Sequence, residues 1–367
     1  MKNKRNFIML IAIVFTIASF SLASWLKADG QYSESERRLL AEEPDFTKET
    51  LLSGQYMSDI ELHLVDQFPF RDKLRGVKAF FTTRIFNKKD NNGLYIADGH
   101  ISKIEYPVNE NMVNNAKNKF DYLYKTYLED KNVKIYLSLV PDKNYFLAES
   151  NGYLSIDYKA FADNFKNKFD YMTYIDIFDK LSLDDYYKTD SHWKQENITD
   201  VAEFLAERMG ADAKAQYEQK TLDNQFKGVY LGQSALNLEP DTIRYLTNDT
   251  LNNCIVTYYD TGRPVVGDMY NMDKAYGKDP YEMFLSGTSS LITIENPGAK
   301  SDKELVIFRD SFAGSLAPLL AEAYSKITLV DLRYVQSSFV GNFVDFDNQD
   351  VLFLYSTTLI NNSLALR

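Results

Sequence analysis

The chain has 367 residues, of which 45% are hydrophobic and 25% are charged, so it can form one large globular domain or two small ones. Its net charge of −11, with no basic stripe to offset it, argues against binding to nucleic acid phosphates. The single cysteine, Cys254, excludes an internal disulfide bond and is expected to be a small buried hydrophobic residue.

Residues 1–27 predict a signal-anchor or transmembrane helix. Lys2, Lys4 and Arg5 precede residues 7–26, which carry no charge and would span about 30 Å as a helix. The basic flank is expected to stay in the cytoplasm, which places the rest of the chain outside the membrane. A cleaved signal peptide, cut at Ser21-Leu22-Ala23, is the alternative, although the apolar run is longer than such peptides usually have.

The next elements follow from residue periodicity. Residues 28–50 are polar and predict a linker or an extended arm. Residues 54–88 predict two helices that bend at the proline-containing stretch 67–72. The Asp98-Gly99 turn predicts a short hairpin around it. Further along, the pattern predicts a helix over 109–129, a buried strand over 133–140, a helix over 158–169, a strand over 172–177 and a helix over 195–209.

The last third of the chain indicates the fold class. Residues at about 215–300 are less periodic and predict a β-rich insertion. They are followed by a predicted strand over 304–308, a helix over 312–324, and strands over 327–332 and 351–355. Strands that alternate with helices in this way predict a doubly wound, mostly parallel α/β sheet.

Three histidines limit the choice of a general base, because this role near neutral pH falls most often to histidine. His63 and His100 lie in polar surroundings and are expected to be exposed. His192 lies in a loop before a helix, two residues after Asp190, so that in extended backbone both side chains leave the same side. A carboxylate in this position can fix the imidazole tautomer, and Trp193 could wall the site from water.

Two simpler readings of this loop remain open. Asp190 or Ser191 can cap the following helix, which would make His192 incidental. A metal site is weaker still, because no other histidine lies near in the sequence. The sequence has no Walker A loop, no G-x-G-x-x-G and no H-E-x-x-H, so neither a metal nor a cofactor is expected.

Ser311 is the candidate nucleophile. It follows the apolar strand at 304–308 and precedes a helix, so its hydroxyl is expected at the carboxyl edge of the sheet, where ligands bind in open α/β folds. The free N–H groups of the helix start are placed to stabilise a developing oxyanion. An ordinary helix-capping Ser or Asp is the alternative, and the G-x-S-x-G pattern of the common hydrolase elbow is absent.

These residues resemble a known family. Asp190-Ser191-His192-Trp193 resembles the Asp-His-His-Trp block of the DHHW protein family, with Ser in the second position, and is similar to the Asp-x-His-Trp block of periplasmic alginate O-acetyltransferases. Further blocks match in the same order, so that the resemblance covers about residues 30–360. They are Gly54-Gln55-Tyr56, Asp66-Gln67-Phe68-Pro69-Phe70-Arg71-Asp72, Val140-Pro141-Asp142-Lys143, Asp279-Pro280-Tyr281, Arg309-Asp310-Ser311-Phe312 and Val330-Asp331-Leu332-Arg333-Tyr334.

The resemblance implies an SGNH-hydrolase-like catalytic domain over residues 51–367, with the insertion at about 215–300. It implies Ser311 as nucleophile, His192 as base and Asp190 as the orienting acid. In one departure, Arg309 stands where SGNH enzymes usually have the Gly of Gly-Asp-Ser. The family's relatives O-acetylate exported polysaccharides, often beside a membrane-bound O-acyltransferase that supplies acyl groups across the membrane.

We therefore expect an extracytoplasmic serine-dependent O-acyltransferase that acetylates exported or cell-surface polysaccharide. A carbohydrate acetylesterase is one alternative, and a non-catalytic envelope scaffold or glycan-binding protein with a vestigial site is another. Five residues are candidates for contact with the substrate, the three basic ones being equally compatible with internal ion pairs. They are Lys143, Trp193, Arg309, Asp310 and Arg333.

Overall fold

The computed structural model describes residues 2–367, which form two compact units. The first unit holds the chain as far as Asn92 together with Leu231–Asn237, and the second holds Gly93–Tyr230 and Leu238–Arg367. The domain bounds expected from the sequence, at residues 27 and 50, stay a prediction.

Helices dominate the chain as far as Asn92. Its elements are helix α1 (Lys2–Leu26), strands β1 (Tyr32–Ser33) and β2 (Arg38–Leu39), and helices α2 (Lys48–Leu52), α3 (Gln55–Asp66) and α4 (Arg71–Phe80), with a π-helical turn over Phe81–Ile85. Within α1, Lys4–Leu26 is apolar and long enough to cross a membrane, which fits a signal anchor or a signal peptide.

The polar segment after α1 is fastened to α3. Strands β1 and β2 pair as a short hairpin, from which Arg38 donates two hydrogen bonds of 2.7 and 2.6 Å to Asp66 at the end of α3. These bonds lower the pKa of Asp66 to about 2. Helices α3 and α4 confirm the predicted bent pair, and the bend falls at Phe70, which adopts a left-handed backbone with φ of 57°.

From Gly93 onward the chain alternates strands and helices. The strands are β3 (Leu94–Ala97), β4 (His100–Lys103), β5 (Lys134–Val140), β6 (Thr173–Tyr174), β7 (Glu218–Thr221), β8 (Arg244–Thr247), β9 (Ile255–Tyr258), β10 (Val265–Gly267), β11 (Leu291–Glu295), β12 (Glu304–Arg309), β13 (Lys326–Val330) and β14 (Asp350–Ser356). The α-helices are α5 (Glu110–Leu123), α6 (Lys143–Asn151), α7 (Tyr158–Lys166), α8 (Thr199–Arg208), α9 (Val229–Ser234), α10 (Asp249–Asn253), α11 (Met272–Ala275), α12 (Ala313–Leu320) and α13 (Thr357–Asn361). A π-helical turn covers Tyr124–Leu128, and 3-10 turns cover Phe178–Lys180, Leu183–Asp185, Gln195–Asn197, Pro280–Met283, Ser337–Asn342 and Ser363–Ala365.

Eight strands form the central sheet in the order β10-β9-β11-β13-β12-β14-β5-β6. The strands from β13 to β6 pair in parallel, whereas β11, β9 and β10 extend the sheet by antiparallel pairings. The mostly parallel α/β sheet expected from the sequence is therefore confirmed. The β-rich segment at 215–300 supplies those three antiparallel strands, and also β7 and β8, which pair with each other apart from the central sheet.

Helices cover both faces of the central sheet. On one face, Leu205 of α8 and Leu316 of α12 share a buried cluster with Ile307 of β12. On the other face, Phe120 of α5 shares a second cluster with Phe308, the next residue of β12. Successive residues of this strand thus enter opposite cores, which explains why its sequence is apolar without alternation.

Helix α6 was not predicted from the sequence. Asp142 begins it by accepting a hydrogen bond from the Asn144 N–H at 2.8 Å. Its apolar buried residues are Leu147 and Ala148, too few to give a recognisable stripe. The strand predicted over 172–177 is also shorter in the structure, where it covers Thr173–Tyr174.

The loop that carries Asp190 packs tightly against Gly228. The Thr189 hydroxyl accepts a hydrogen bond from the Gly228 N–H at 2.9 Å. A Cβ atom at Gly228 would lie 2.3 Å from the carbonyl carbon of Thr189 and 2.4 Å from the Asp190 nitrogen. Because both neighbours are backbone atoms, a side chain there would displace the loop.

We predict that Gly228→Ala destabilises the second unit by about 1–3 kcal/mol, the usual cost of forcing an extra methyl into a packed interior. The matched control is Gly298→Ala in the same unit, whose Cβ would meet Asn296 at an ordinary 3.5 Å and should change stability by less than about 0.5 kcal/mol. Urea unfolding of the full chain in detergent, followed by near-ultraviolet circular dichroism, measures both. Equal midpoints for the two variants would contradict the close packing.

Candidate active site

The structure brings Asp190, His192 and Ser311 together. The Ser311 Oγ lies 2.7 Å from Nε2 of His192, and Nδ1 of the same ring lies 2.6 Å from Oδ1 of Asp190. The Asp190 side chain is fully buried, whereas the His192 side chain keeps 14% of its surface exposed. This arrangement allows His192 to take a proton from the serine hydroxyl while a buried carboxylate faces the other ring nitrogen.

Backbone N–H groups hold the Asp190 carboxylate. Its Oδ1 accepts a hydrogen bond from the His192 N–H at 3.1 Å, and its Oδ2 accepts one from the Val229 N–H at 2.8 Å. Both oxygens therefore have donors besides the imidazole. The carboxylate is fixed in place rather than free to rotate away from the ring.

The imidazole ring is held by aromatic contact. Tyr281 stacks against His192 with ring centroids 4.0 Å apart and planes 10° from parallel, and Phe312 packs at 5.2 Å. The Tyr281 hydroxyl lies 2.9 Å from the Ser315 hydroxyl inside the protein. No role was predicted for Tyr281, and its place in the Asp279-Pro280-Tyr281 block is the signal that could have identified it.

Asp241 and Lys143 hold the loop before Asp190. Asp241 accepts hydrogen bonds from the N–H groups of Lys188 and Thr189, at 2.9 and 2.7 Å. From the other side, the Lys143 ammonium donates to the carbonyls of Tyr187 and Lys188, at 2.8 and 3.1 Å. Asp241 has no motif around it, so the sequence offered no signal for this contact.

Ser311 occupies the turn between β12 and α12, as its sequence position indicates. Asp310 shapes this turn from inside, because its Oδ1 accepts a hydrogen bond from the Phe312 N–H at 3.0 Å. Its Oδ2 accepts a second bond, at 2.7 Å, from the Ser356 N–H at the end of β14. Asp310 is buried, so the structure places it under the turn rather than at a surface that a substrate could reach.

Trp193 joins the histidine loop to the serine turn. Its indole N–H donates to the Phe312 carbonyl at 3.1 Å and to the Ser315 hydroxyl at 2.8 Å. The side chain is fully buried, so it contacts other parts of the site rather than a bound sugar. Gln195 reinforces the junction by donating to the Ser315 carbonyl at 2.9 Å.

The three basic residues proposed for substrate contact make internal contacts. Lys143 and Arg309 are each 1% exposed, and burial lowers the pKa of both, that of Lys143 to about 7. The Arg309 guanidinium donates to the Ser289 carbonyl at 3.1 Å. Arg333 donates to Asp331 at 2.6 Å and retains partial exposure. Arg333 therefore makes an internal ion pair, whereas the hydrogen bonds of Lys143 and Arg309 go to backbone carbonyls.

The other two histidines are not exposed, which corrects the expectation from the sequence. The His63 Nδ1 lies 3.2 Å from the Ala41 carbonyl, within the first unit. In the second unit, His100 is buried with Nδ1 at 3.0 Å from the Asp98 carbonyl, and burial lowers its pKa. Within residues 2–367, no three His, Cys, Asp or Glu side chains are grouped to hold a metal ion.

Comparison with known proteins matches this fold to solved structures. No family model and no curated protein matches the sequence. A DHHW family protein from Eubacterium siraeum aligns with a TM-score of 0.58 at 20% identity, over 75% of this chain and 94% of that one. Bacillus cereus PatB1 aligns with a TM-score of 0.57 at 18% identity, over 73% and 96%, and its form with a sulfonyl adduct aligns equally well. At these identities the likeness shows the fold, so the chain shares the fold of a DHHW family protein, as its sequence blocks indicate.

Proposed function

We propose that this chain is an extracytoplasmic serine-dependent O-acyltransferase that acetylates exported or cell-surface polysaccharide. The observation that carries the proposal is the pair of short contacts, 2.7 Å from Ser311 to His192 and 2.6 Å from His192 to Asp190. A serine hydroxyl is a weak nucleophile unless a base within hydrogen-bond reach accepts its proton. Here the base is in reach and is itself oriented by a buried carboxylate.

The reaction follows from these contacts. The Ser311 oxygen attacks the carbonyl carbon of an acyl donor while His192 accepts the hydroxyl proton, and collapse of the tetrahedral intermediate expels the donor alcohol or thiol, which takes that proton. Asp190 stabilises the imidazolium that forms in between. A sugar hydroxyl then attacks the carbonyl carbon of the acyl-serine and gives its proton to His192. The bond from that carbon to the Ser311 oxygen breaks, His192 returns the proton to the Ser311 oxygen, and the sugar leaves as its acetyl ester. We assign the Ser311 N–H, at the start of α12, to part of the oxyanion hole.

The polysaccharide acceptor is proposed from the sequence blocks shared with the DHHW family and the alginate O-acetyltransferases. The same resemblance suggests a membrane-bound O-acyltransferase as the source of acyl groups. An acyl donor on the outer side of a membrane must be delivered there, and the apolar helix α1 is suited to keep the chain at that surface. Transfer to water instead of sugar would make the protein an acetylesterase.

We predict that phenylmethanesulfonyl fluoride adds one sulfonyl group to the chain, with loss of fluoride, at the Ser311 oxygen. Intact-mass spectrometry of the full chain in detergent should show the adduct, and Ser311→Ala should abolish it. Ser191→Ala is the matched control, since its hydroxyl lies 3.5 Å from the other nitrogen of His192 and should not react. Equal labelling of wild type and Ser311→Ala would overturn the assignment of the nucleophile.

We predict that Asp190→Asn reduces hydrolysis of 4-nitrophenyl acetate by about two to four orders of magnitude, because an amide favours the wrong imidazole tautomer. The matched control is Asp200→Asn at the start of α8, whose carboxylate bonds to the N–H of Val201 and should leave the rate within about twofold. Adding an acetylated donor and an oligosaccharide, with mass spectrometry of the sugar, separates transfer from hydrolysis. An Asp190→Asn variant as active as the control would contradict the proposed role of the carboxylate.

A further inference from the structure

We propose that residues 70–86, helix α4 with its flanking residues, lie flat in the outer face of the membrane that α1 crosses. The occupant of this surface is therefore lipid. The proposal rests on α1 being kept as an anchor, and it is independent of the acyl-transfer chemistry proposed for Ser311. Three observations within the first unit carry it.

The first observation is an apolar stripe that remains substantially exposed. Its members recur at helical spacing along one side of α4 and its π-helical turn, and their exposed fractions lie between 39% and 65%. They are Phe70, Leu74, Val77, Phe81 and Ile85. A contiguous apolar face of this kind on a water-facing helix marks a contact surface for lipid or protein.

The distribution of charge indicates that this surface contacts lipid rather than protein. Residues 70–89 hold seven Lys or Arg residues and a single acidic residue, Asp72, in a chain whose net charge is −11. Lys73 and Lys78 flank the apolar stripe on its two sides, by the spacing of 3.6 residues per turn. This is the arrangement of an interfacial helix, whose apolar face enters the acyl boundary while flanking lysines reach anionic headgroups. Arg71 and Arg75 instead form ion pairs with Glu36, and the Lys78 ammonium also donates to the Asn92 side chain at 2.8 Å.

The third observation is the position of the start of α4 along the axis of α1, which sets its depth in the membrane. Phe68, at the bend before α4, stacks on Phe20 of α1 with ring centroids 5.3 Å apart. The Lys27 ammonium, just beyond α1, donates to the Gln67 carbonyl at 3.0 Å. Phe20 is six residues from the end of α1 at Leu26, or about 9 Å along the helix axis. The bend therefore lies beside the last two turns of the anchor, between the headgroup boundary near Lys27 and the outer acyl region about 9 Å below it, which is the depth that an interfacial helix occupies.

The Gln67 side chain stabilises the junction between the end of α1 and the bend before α4. Its amide donates to the Gly30 carbonyl at 2.9 Å and its oxygen accepts from the Gly30 N–H, also at 2.9 Å.

Beside the junction, a groove of about 860 Å³ between α3 and α4 is lined by apolar side chains that include Ile60, Leu64 and Phe68. A protein partner would account for an apolar groove, but lipid accounts for the groove, the flanking lysines and the contact with the anchor together.

The test measures the depth of single labels in a bilayer. The full chain with Cys254→Ser receives one cysteine at Val77 or Phe81, labelled with the fluorophore NBD, and is reconstituted into phosphatidylcholine and phosphatidylglycerol vesicles that hold no other protein. Ile17→Cys, within α1, gives the signal of a label that lies deep among the lipid acyl chains. Asp72→Cys is the matched control, because it lies on the opposite side of the same helix and is exposed.

We expect lipid carrying a doxyl group at carbon 5 to quench the labels at Val77 and Phe81 at least about twofold more than the label at Asp72. A doxyl group at carbon 12 should quench Ile17 more strongly than Val77, because α4 lies shallow. Near-ultraviolet circular dichroism of each labelled chain checks that it is folded. The proposal would be overturned if the labels at Val77 and Phe81 were quenched no more than the label at Asp72. That result is expected if the apolar stripe binds a protein partner instead of lipid.

Discussion

The hydrogen bond between Ser311 and His192 joins two segments that lie 119 residues apart in the sequence. Each segment is a loop, and loops are the least constrained parts of an α/β fold. A separation of 2.7 Å can persist only if both loops are fixed with a precision of a few tenths of an ångström. The buried polar groups of the second unit are best understood as meeting that requirement.

The fixation uses residues that do not face a substrate. Asp310 ties the serine turn to the end of β14 by its bond to the Ser356 N–H, and Trp193 ties the histidine loop to the same turn through the Phe312 carbonyl. Removing either partner would leave a buried polar atom unsatisfied, which costs about 1–3 kcal/mol. Side chains adjacent to a reactive group can thus be essential to it without contacting the reacting atoms.

Local patterns were enough to single out Asp190, His192 and Ser311 as candidates, and the structure brings these three side chains together. A carboxylate two residues before an imidazole, and a serine where an apolar strand gives way to a helix, are features of short segments, and the parallel sheet follows from alternating strands and helices. Tyr281 and Asp241 escaped prediction because their contacts depend on distant parts of the chain. His63 was wrongly expected to be exposed for the same reason, since the segment around Ala41 covers it.

The block Asp66-Gln67-Phe68-Pro69-Phe70-Arg71-Asp72 shows that a family-like motif need not carry chemistry. Asp66 is engaged by Arg38 and its pKa is held at about 2, so it stays charged across the neutral range and holds the hairpin β1–β2 on α3. Gln67 is bonded to Gly30, and Phe70 turns the chain into α4. These contacts hold the bend between α3 and α4 against the segment that follows α1. The block is therefore explained as a joint that connects the end of α1 and the hairpin β1–β2 to helices α3 and α4.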